Sequence, residues 1–160
     1  MRLRVEAGGV AGLGASLSDA RDGIRDSKAV EEAAAWLKNR IIERTGAGVD
    51  AEGMPFEPYS ASYGKRRERL GKGSRVTLRF TGEMLDAMTA SAQEGAGRIG
   101  FKTASAKAKA AYNRTGAGKR RIRRGFFAPG AADRVWIAKT IGAGVADVLK
   151  RAFKRGFLRG

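Results

Sequence analysis

The order of the predicted elements indicates an α+β fold, in which a small antiparallel sheet packs against two long helices, one N-terminal and one C-terminal, with extended loops between them. Apolar residues recur at spacings of three and four near both ends of the chain, as in amphipathic helices. Between them, short segments on either side of a glycine turn indicate a hairpin. The chain has 160 residues, 42% of them apolar, which predicts a single domain over residues 1–160.

The first quarter of the chain is predicted to contain a strand and the first long helix. Residues Arg2–Ala7 alternate between polar and apolar, as in a half-buried strand. Helical spacing then runs from Ser16 to about Arg44. Gly23 and Ser27 are positions where this helix can bend or divide, and Ser27 can cap a second segment.

The middle of the chain is predicted to alternate loops with short elements. A loop rich in glycine and proline covers residues 45–60, and Ser60 is placed to cap a short helix that ends at Gly71. Residues Arg75–Phe80 alternate as a strand or as an extended lead-in. Thr81 follows them and is placed to cap another short helix.

The second half is predicted to contain the hairpin and the second long helix. Residues Thr89–Lys102 resemble a hairpin that turns around Glu94–Gly97. The alanine- and lysine-rich segment that follows is compatible with either a helix or a strand. A charged loop then covers residues 114–125, and apolar spacing predicts a helix from about Ala131 to Phe153.

The residue types present exclude most kinds of active site. The chain has no cysteine and no histidine, so thiol nucleophiles, most zinc sites and the histidine-dependent triads are excluded. Glu31 and Glu32 are adjacent and do not share a helix face, while Glu83 and Asp86 are explained by stabilisation of a helix terminus. The glycine-rich stretches lack the ending of a phosphate-binding loop. We therefore expect no enzymatic activity, no catalytic or metal-binding residue and no cofactor.

Targeting signals are also absent from the sequence. No apolar run approaches the ~20 residues that span a bilayer, and the first residues lack the apolar core of a signal peptide. We therefore expect no membrane partner and synthesis in the cytoplasm.

Positive charge is concentrated in the second part of the chain. The net charge is +16; residues 1–60 carry 8 basic and 10 acidic residues, and residues 61–160 carry 24 basic and 6 acidic residues. This asymmetry indicates a polyanionic partner or an acidic neighbouring protein. Because no recognition helix or aromatic stacking platform is evident, any contact with DNA is expected to involve the backbone without sequence preference. The candidate contacts lie in two basic runs: Lys65, Arg66, Arg67, Arg69, Lys119, Arg120, Arg121, Arg123 and Arg124.

Five segments in a fixed order resemble the phage virion-morphogenesis or tail-completion family. They are GMPFEPYSASYGKRR, LRFTGEMLDAM, GRIGF, KAAYNRTGAG and RRGFF, within a resemblance that runs from about Leu17 to Leu149. The chain departs from the family at Tyr112, where histidine is often found, and before Phe126, where the usual proline is missing. The motif positions expected to be structural are Pro55, Phe56, Tyr59, Thr81, Gly82, Leu85, Asn113, Phe126 and Phe127.

The resemblance implies a structural virion protein of the head–tail junction or tail end, of the neck, tail-completion or tail-terminator type. Such a protein forms a homo-oligomeric ring and contacts neighbouring phage head-connector and tail proteins, and DNA passing through the channel offers a further non-specific contact. Residues 45–60 and 114–125 are then the expected contact loops. Two alternatives stay open: a small basic nucleic-acid-binding protein with non-specific backbone contacts, and an enzyme acting on a polyanion, for which the sequence shows no carboxylate cluster.

Overall fold

The predicted α+β class is confirmed by the computed structural model, which describes residues 18–24, 28–117 and 121–157. Residues 18–24 are helical, and a two-stranded antiparallel sheet lies between the two long helices in the chain order. The predicted strand at Arg2–Ala7 and the cap at Ser27 lie outside the described residues. The other elements are α1 (Lys28–Ala47), α2 (Ala61–Arg69), α3 (Glu83–Asp86), β1 (Met88–Gln93), β2 (Ala96–Phe101), α4 (Ala104–Thr115) and α5 (Ala131–Phe157).

Two helices begin at the kind of cap that their sequences favour. The Ser60 hydroxyl accepts a hydrogen bond from the Tyr63 amide and starts α2, as predicted. The segment whose sequence is compatible with helix or strand is α4, where the Thr103 hydroxyl accepts from the Ala106 amide at 3.1 Å. Gly116 ends α4 with a φ of 72°, in the left-handed region that glycine favours.

Two predictions for the segment before α3 were wrong: the strand alternative at Arg75–Phe80 and the cap at Thr81. Residues Arg75–Phe80 form no strand and are irregular, with Leu78 at a φ of 51°. Thr81 does not cap α3, because the N-cap is Gly82, whose φ is 91° and which supplies no capping side chain. A Cβ atom at Gly82 would lie 2.5 Å from a carboxylate oxygen of Asp86, so the backbone needs glycine at this position.

The hairpin is confirmed, with a tighter turn than the sequence predicts. Glu94 and Gly95 have φ values of 52° and 77°, the pattern of a two-residue hairpin turn whose twist matches that of the strands. Ala96 and Gly97 already belong to β2. The second long helix, α5, begins at the predicted Ala131 and continues to Phe157.

The chain divides into two compact units, so the prediction of one domain stays a prediction. The smaller unit contains Met1–Ala34, Ser91–Arg98 and Trp136–Gly160. Its described buried side chains are mostly small: Ala20, Val30, Ala33, Ala34 and Ala152.

The larger unit, Ala35–Ala90 with Ile99–Val135, contains the main hydrophobic core. α3 and α4 contact each other there, and Lys109 of α4 donates to Glu83 of α3 at 2.6 Å. This hydrogen bond, with a second from Ser105 and the charge of Lys109, lowers the pKa of Glu83. The buried core side chains are Ile41, Phe56, Val76, Met84, Leu85, Met88, Ala110 and Phe126.

Substituting two glycines of the larger unit tests the backbone of α2 and the end of α4. A Cβ atom at Gly116 would lie 2.7 Å from the Arg121 carbonyl oxygen, and its φ is positive, so Gly116→Ala should destabilise the protein by at least about 1–2 kcal/mol. Gly64 lies inside α2, and an added methyl group there would have no side chain or other segment of the chain within 4 Å. Gly64→Ala should therefore stabilise the protein by about 0.5–1 kcal/mol. Urea denaturation measures both free energies of unfolding. Equal effects of the two substitutions would contradict the described geometry.

Candidate interaction site

Arg44, in the last turn of α1, is buried and holds the segment that leads into α5. Its guanidinium forms an ion pair with Asp133 and donates to the main-chain carbonyls of Phe126, at 3.0 Å, and Ala128. Asp133 also accepts a hydrogen bond from the Gly130 amide at 2.9 Å. The end of α1, the segment from Phe126 to Gly130 and the first turn of α5 are thus joined through one buried charge pair.

Arg67, in the middle of α2, is 1% exposed and holds the loop that follows the helix. Its guanidinium donates to the carbonyls of Lys72 at 2.9 Å and of Gly73 and Arg79 at 3.2 Å. Arg67 was predicted as a polyanion contact. Because its side chain is buried and all three of these bonds go to the main chain, it is a structural residue.

Arg124 is also buried, and the same correction applies to it. Its guanidinium donates to the Glu57 carbonyl at 3.1 Å, and its amide donates to the Asn113 carbonyl at 2.8 Å. Residues of the basic loop are thereby connected to the loop at 45–60 and to α4.

Tyr59 links two of these arginines through its ring. The guanidinium carbon of Arg67 lies 5.0 Å from the ring centroid and that of Arg124 lies 5.4 Å from it. Burial raises the pKa of the Tyr59 phenol, although the two arginine charges and a hydrogen bond with the Leu78 backbone act in the opposite direction. Folding therefore favours the neutral phenol.

The loop at residues 45–60 has a defined conformation around Asp50. The Asp50 carboxylate accepts hydrogen bonds from the amides of Glu52 and Met54, both at 2.9 Å, and Val49 pairs with Pro55 in an isolated β-bridge. The tip is exposed, and Met54 is 63% exposed. An ordered loop thus presents an apolar side chain to solvent.

Two exposed cations, one from α2 and one from the loop after it, lie beside Phe80. The Arg66 guanidinium carbon is 5.8 Å from the Phe80 centroid, and Lys72 Nζ is 5.9 Å from it. Tyr63 packs beside the same ring, with centroids 6.1 Å apart. We name the exposed cations of α2 and of the loop after it the α2 basic surface: Lys65, Arg66, Arg69, Lys72 and Arg75.

The predicted contact residues of the second basic run that the structure describes differ in their exposure. Lys119 and Arg120 lie outside the described residues, whereas Arg121 and Arg123 are exposed. Arg121 has a φ of 50°. The run is therefore not one continuous contact element, because Arg124 turns inward.

The family-motif positions occupy different environments. Leu85, Phe56 and Phe126 are buried in the core, and Tyr59 and Phe127 pack against it. Asn113 donates its side-chain amide to the Lys109 carbonyl at 2.9 Å. Gly82 is buried at the start of α3, whereas Pro55 and Thr81 are exposed.

Metal-binding clusters and membrane-spanning helices are both absent from the part of the chain that the structure describes. Its residues include no group of three or more histidine, cysteine, aspartate or glutamate side chains arranged to hold a metal. In the same ranges, no helix is both long and apolar enough to cross a bilayer.

Comparisons with protein-family models, with curated proteins and with solved structures found no match for this chain. Three residues of the site were not among the predicted contact residues: Lys72, Arg75 and Phe80. Met54 lies in the predicted contact loop at residues 45–60, but the sequence did not single it out. Residues Arg66 and Phe80 are far apart in the sequence, so no local spacing reveals their contact.

Breaking the buried Arg44–Asp133 pair should lower the free energy of unfolding substantially. Arg44→Met leaves the buried Asp133 carboxylate with the half-exposed Arg40, whose Nε lies 3.8 Å away, as its one partner cation among the described residues, so we expect a loss of about 3 kcal/mol in the free energy of unfolding. The exposed Arg79–Asp86 pair is a matched control, and Arg79→Met should cost at most about 1 kcal/mol. Chemical denaturation measures the free energy of unfolding of both variants. A loss for Arg44→Met no larger than that for Arg79→Met would disprove the structural role of the buried pair.

The Tyr59 phenol should lose its proton at a higher pH than an ordinary tyrosine. Its raised pKa means that the native state holds the phenolic proton more tightly than the unfolded chain, so this contribution to stability is present below about pH 10 and is lost as pH rises through the folded pKa. In an ultraviolet titration of the folded protein, tyrosinate absorbance should rise in a late phase, at a pH above that of ordinary tyrosines, and Tyr59→Phe should remove this phase. The control Tyr112→Phe, at an exposed position, should leave that phase in place. A late phase that survives Tyr59→Phe would contradict this assignment.

Proposed function

We propose that this chain is a structural subunit of a phage head–tail junction or tail end, which assembles with copies of itself into a ring and contacts neighbouring virion proteins. It works through preformed loops and catalyses no reaction. The proposal rests on the ordered sequence motifs together with one feature of the structure: buried arginines hold its loops in place.

The buried arginines support this role for an energetic reason. Removing a guanidinium from water is costly unless hydrogen bonds and charge compensate it, and here the compensation comes from loop carbonyls and from Asp133. Loops that are ordered before association lose less conformational entropy when they bind. Fixed loops around a small core therefore suit a protein that repeats the same contact around a closed axis.

The loop tip at Met54 is the best-placed contact for a neighbouring subunit. Asp50 fixes the tip through its bonds to the amides of Glu52 and Met54, and the Met54 side chain is largely exposed. Methionine adapts its shape to an apolar pocket and is common at protein interfaces. We assign Met54 to the contact between adjacent copies in the ring.

A second candidate function is that of a small basic nucleic-acid-binding protein. The α2 basic surface favours it, because its five cations are exposed on one continuous part of the chain. This function does not require a ring, so the size of the particle separates the two candidates.

The assembly role predicts a discrete oligomer that depends on Met54. Light scattering and negative-stain imaging of the purified protein, alone and with the proteins encoded beside it, should show a ring-sized particle. Met54→Ser should weaken assembly by about tenfold or more, as expected for a central interface residue. Val135→Ser is the matched control: it removes a similarly exposed apolar side chain, 71% exposed, from α5 and not from the ordered loop tip, so it should leave assembly unchanged. A protein that stays monomeric under all these conditions would refute the proposal.

A further inference from the structure

We propose that the α2 basic surface binds the phosphate backbone of double-stranded nucleic acid. This goes beyond the assembly role and does not depend on it, since none of the five cations belongs to the loop tip assigned to the contact between subunits. The inference rests on three features of the surface: uncompensated charge, fixed geometry, and cations held by an aromatic ring.

The cations of this surface lack the acidic partners that some other described cations of the larger unit have. Arg79 pairs with Asp86, and Lys109 pairs with Glu83. Among the described residues, no salt bridge involves any of the five exposed cations of the α2 basic surface. Glu68 is the one acidic residue of α2 and leaves a clear excess of positive charge there.

The surface has a fixed shape because Arg67 lies beneath it. The three hydrogen bonds from Arg67 to the carbonyls of Lys72, Gly73 and Arg79 hold the loop against the helix. Gly71 and Gly73, with φ values of 65° and 63°, allow the chain to turn on either side of Lys72. The cations after α2 are thus presented by an ordered loop.

Phe80 positions two of the cations more closely. Arg66 from the helix and Lys72 from the loop both contact its ring, at 5.8 and 5.9 Å from the centroid. A cation held in this way has lost part of its side-chain freedom before any ligand binds, so binding costs less entropy.

These features favour a nucleic-acid duplex over an acidic protein. Duplex DNA carries one negative charge for about every 1.7 Å of its axis, whereas protein surfaces usually intersperse both signs. Between Lys65 and Arg75, five exposed cations that form no ion pair with any described residue match the uniform charge of a duplex. Phe80 is only partly exposed and already contacts two cations, so it offers no open ring for base stacking, and the contact is therefore with phosphates.

The test compares two triple variants with the same change in net charge. Lys65→Ala/Arg69→Ala/Lys72→Ala removes cations of the α2 basic surface, and Lys107→Ala/Lys139→Ala/Lys150→Ala removes exposed cations elsewhere. Fluorescence anisotropy measures the affinity of the full chain for labelled DNA and RNA duplexes of about 20 base pairs over a range of salt concentrations. Circular dichroism and light scattering check that each variant is folded and assembles as the unmodified protein does.

The α2 variant should bind both duplexes at least about tenfold more weakly, and the slope of log affinity against log salt should fall by about 0.9 for each phosphate that the variant no longer neutralises. The control variant should bind less than about threefold more weakly, from the general change in charge. Equal effects in the two variants, or an affinity independent of salt, would overturn the inference. Binding to polyglutamate but not to either duplex would also overturn it and would assign the surface to an acidic protein. Since particle size is measured separately, failure here leaves the assembly proposal unaffected.

Discussion

The fold of the larger unit depends on guanidinium groups that are buried against main-chain carbonyls. A loop that packs on a core must satisfy its carbonyl groups without water, and a guanidinium supplies five donors in a fixed plane. Arg44, Arg67 and Arg124 each meet this need for a different segment. Together they order the stretches on which the proposed contacts lie, and those stretches would otherwise have few regular hydrogen bonds.

The regular elements were largely predictable because their signals are local. Apolar spacing predicted the second long helix, and the Ser60 hydroxyl predicted the start of α2. The irregular segment at Arg75–Phe80 was not predictable from its alternation, because the side chain of Arg67 binds its Arg79 carbonyl in place of a neighbouring strand. Its conformation depends on a tertiary contact that no local pattern contains.

The candidate site was predictable only in part, because charge in a sequence does not show whether a side chain points outward. Arg66 and Arg67 are adjacent and of the same residue type, yet Arg66 is exposed and Arg67 is among the most buried side chains described. A signal for Arg44 did exist: it follows Ile41 by three residues and so continues the apolar stripe of α1. The core positions of the family motifs, such as Phe126, fit their expected structural role, although the family itself stays a resemblance.

The loops should be as ordered as the core on which they pack. Native-state hydrogen exchange of the unmodified protein tests this most directly, because it gives an opening free energy for each amide. The amides of Phe56 and Arg124, which donate to Gly48 and Asn113 at 2.9 and 2.8 Å, should open with the same free energy as the Ile41 amide within α1. Exchange of the loop amides at the rate of an unfolded peptide, with Ile41 still protected, would contradict the account.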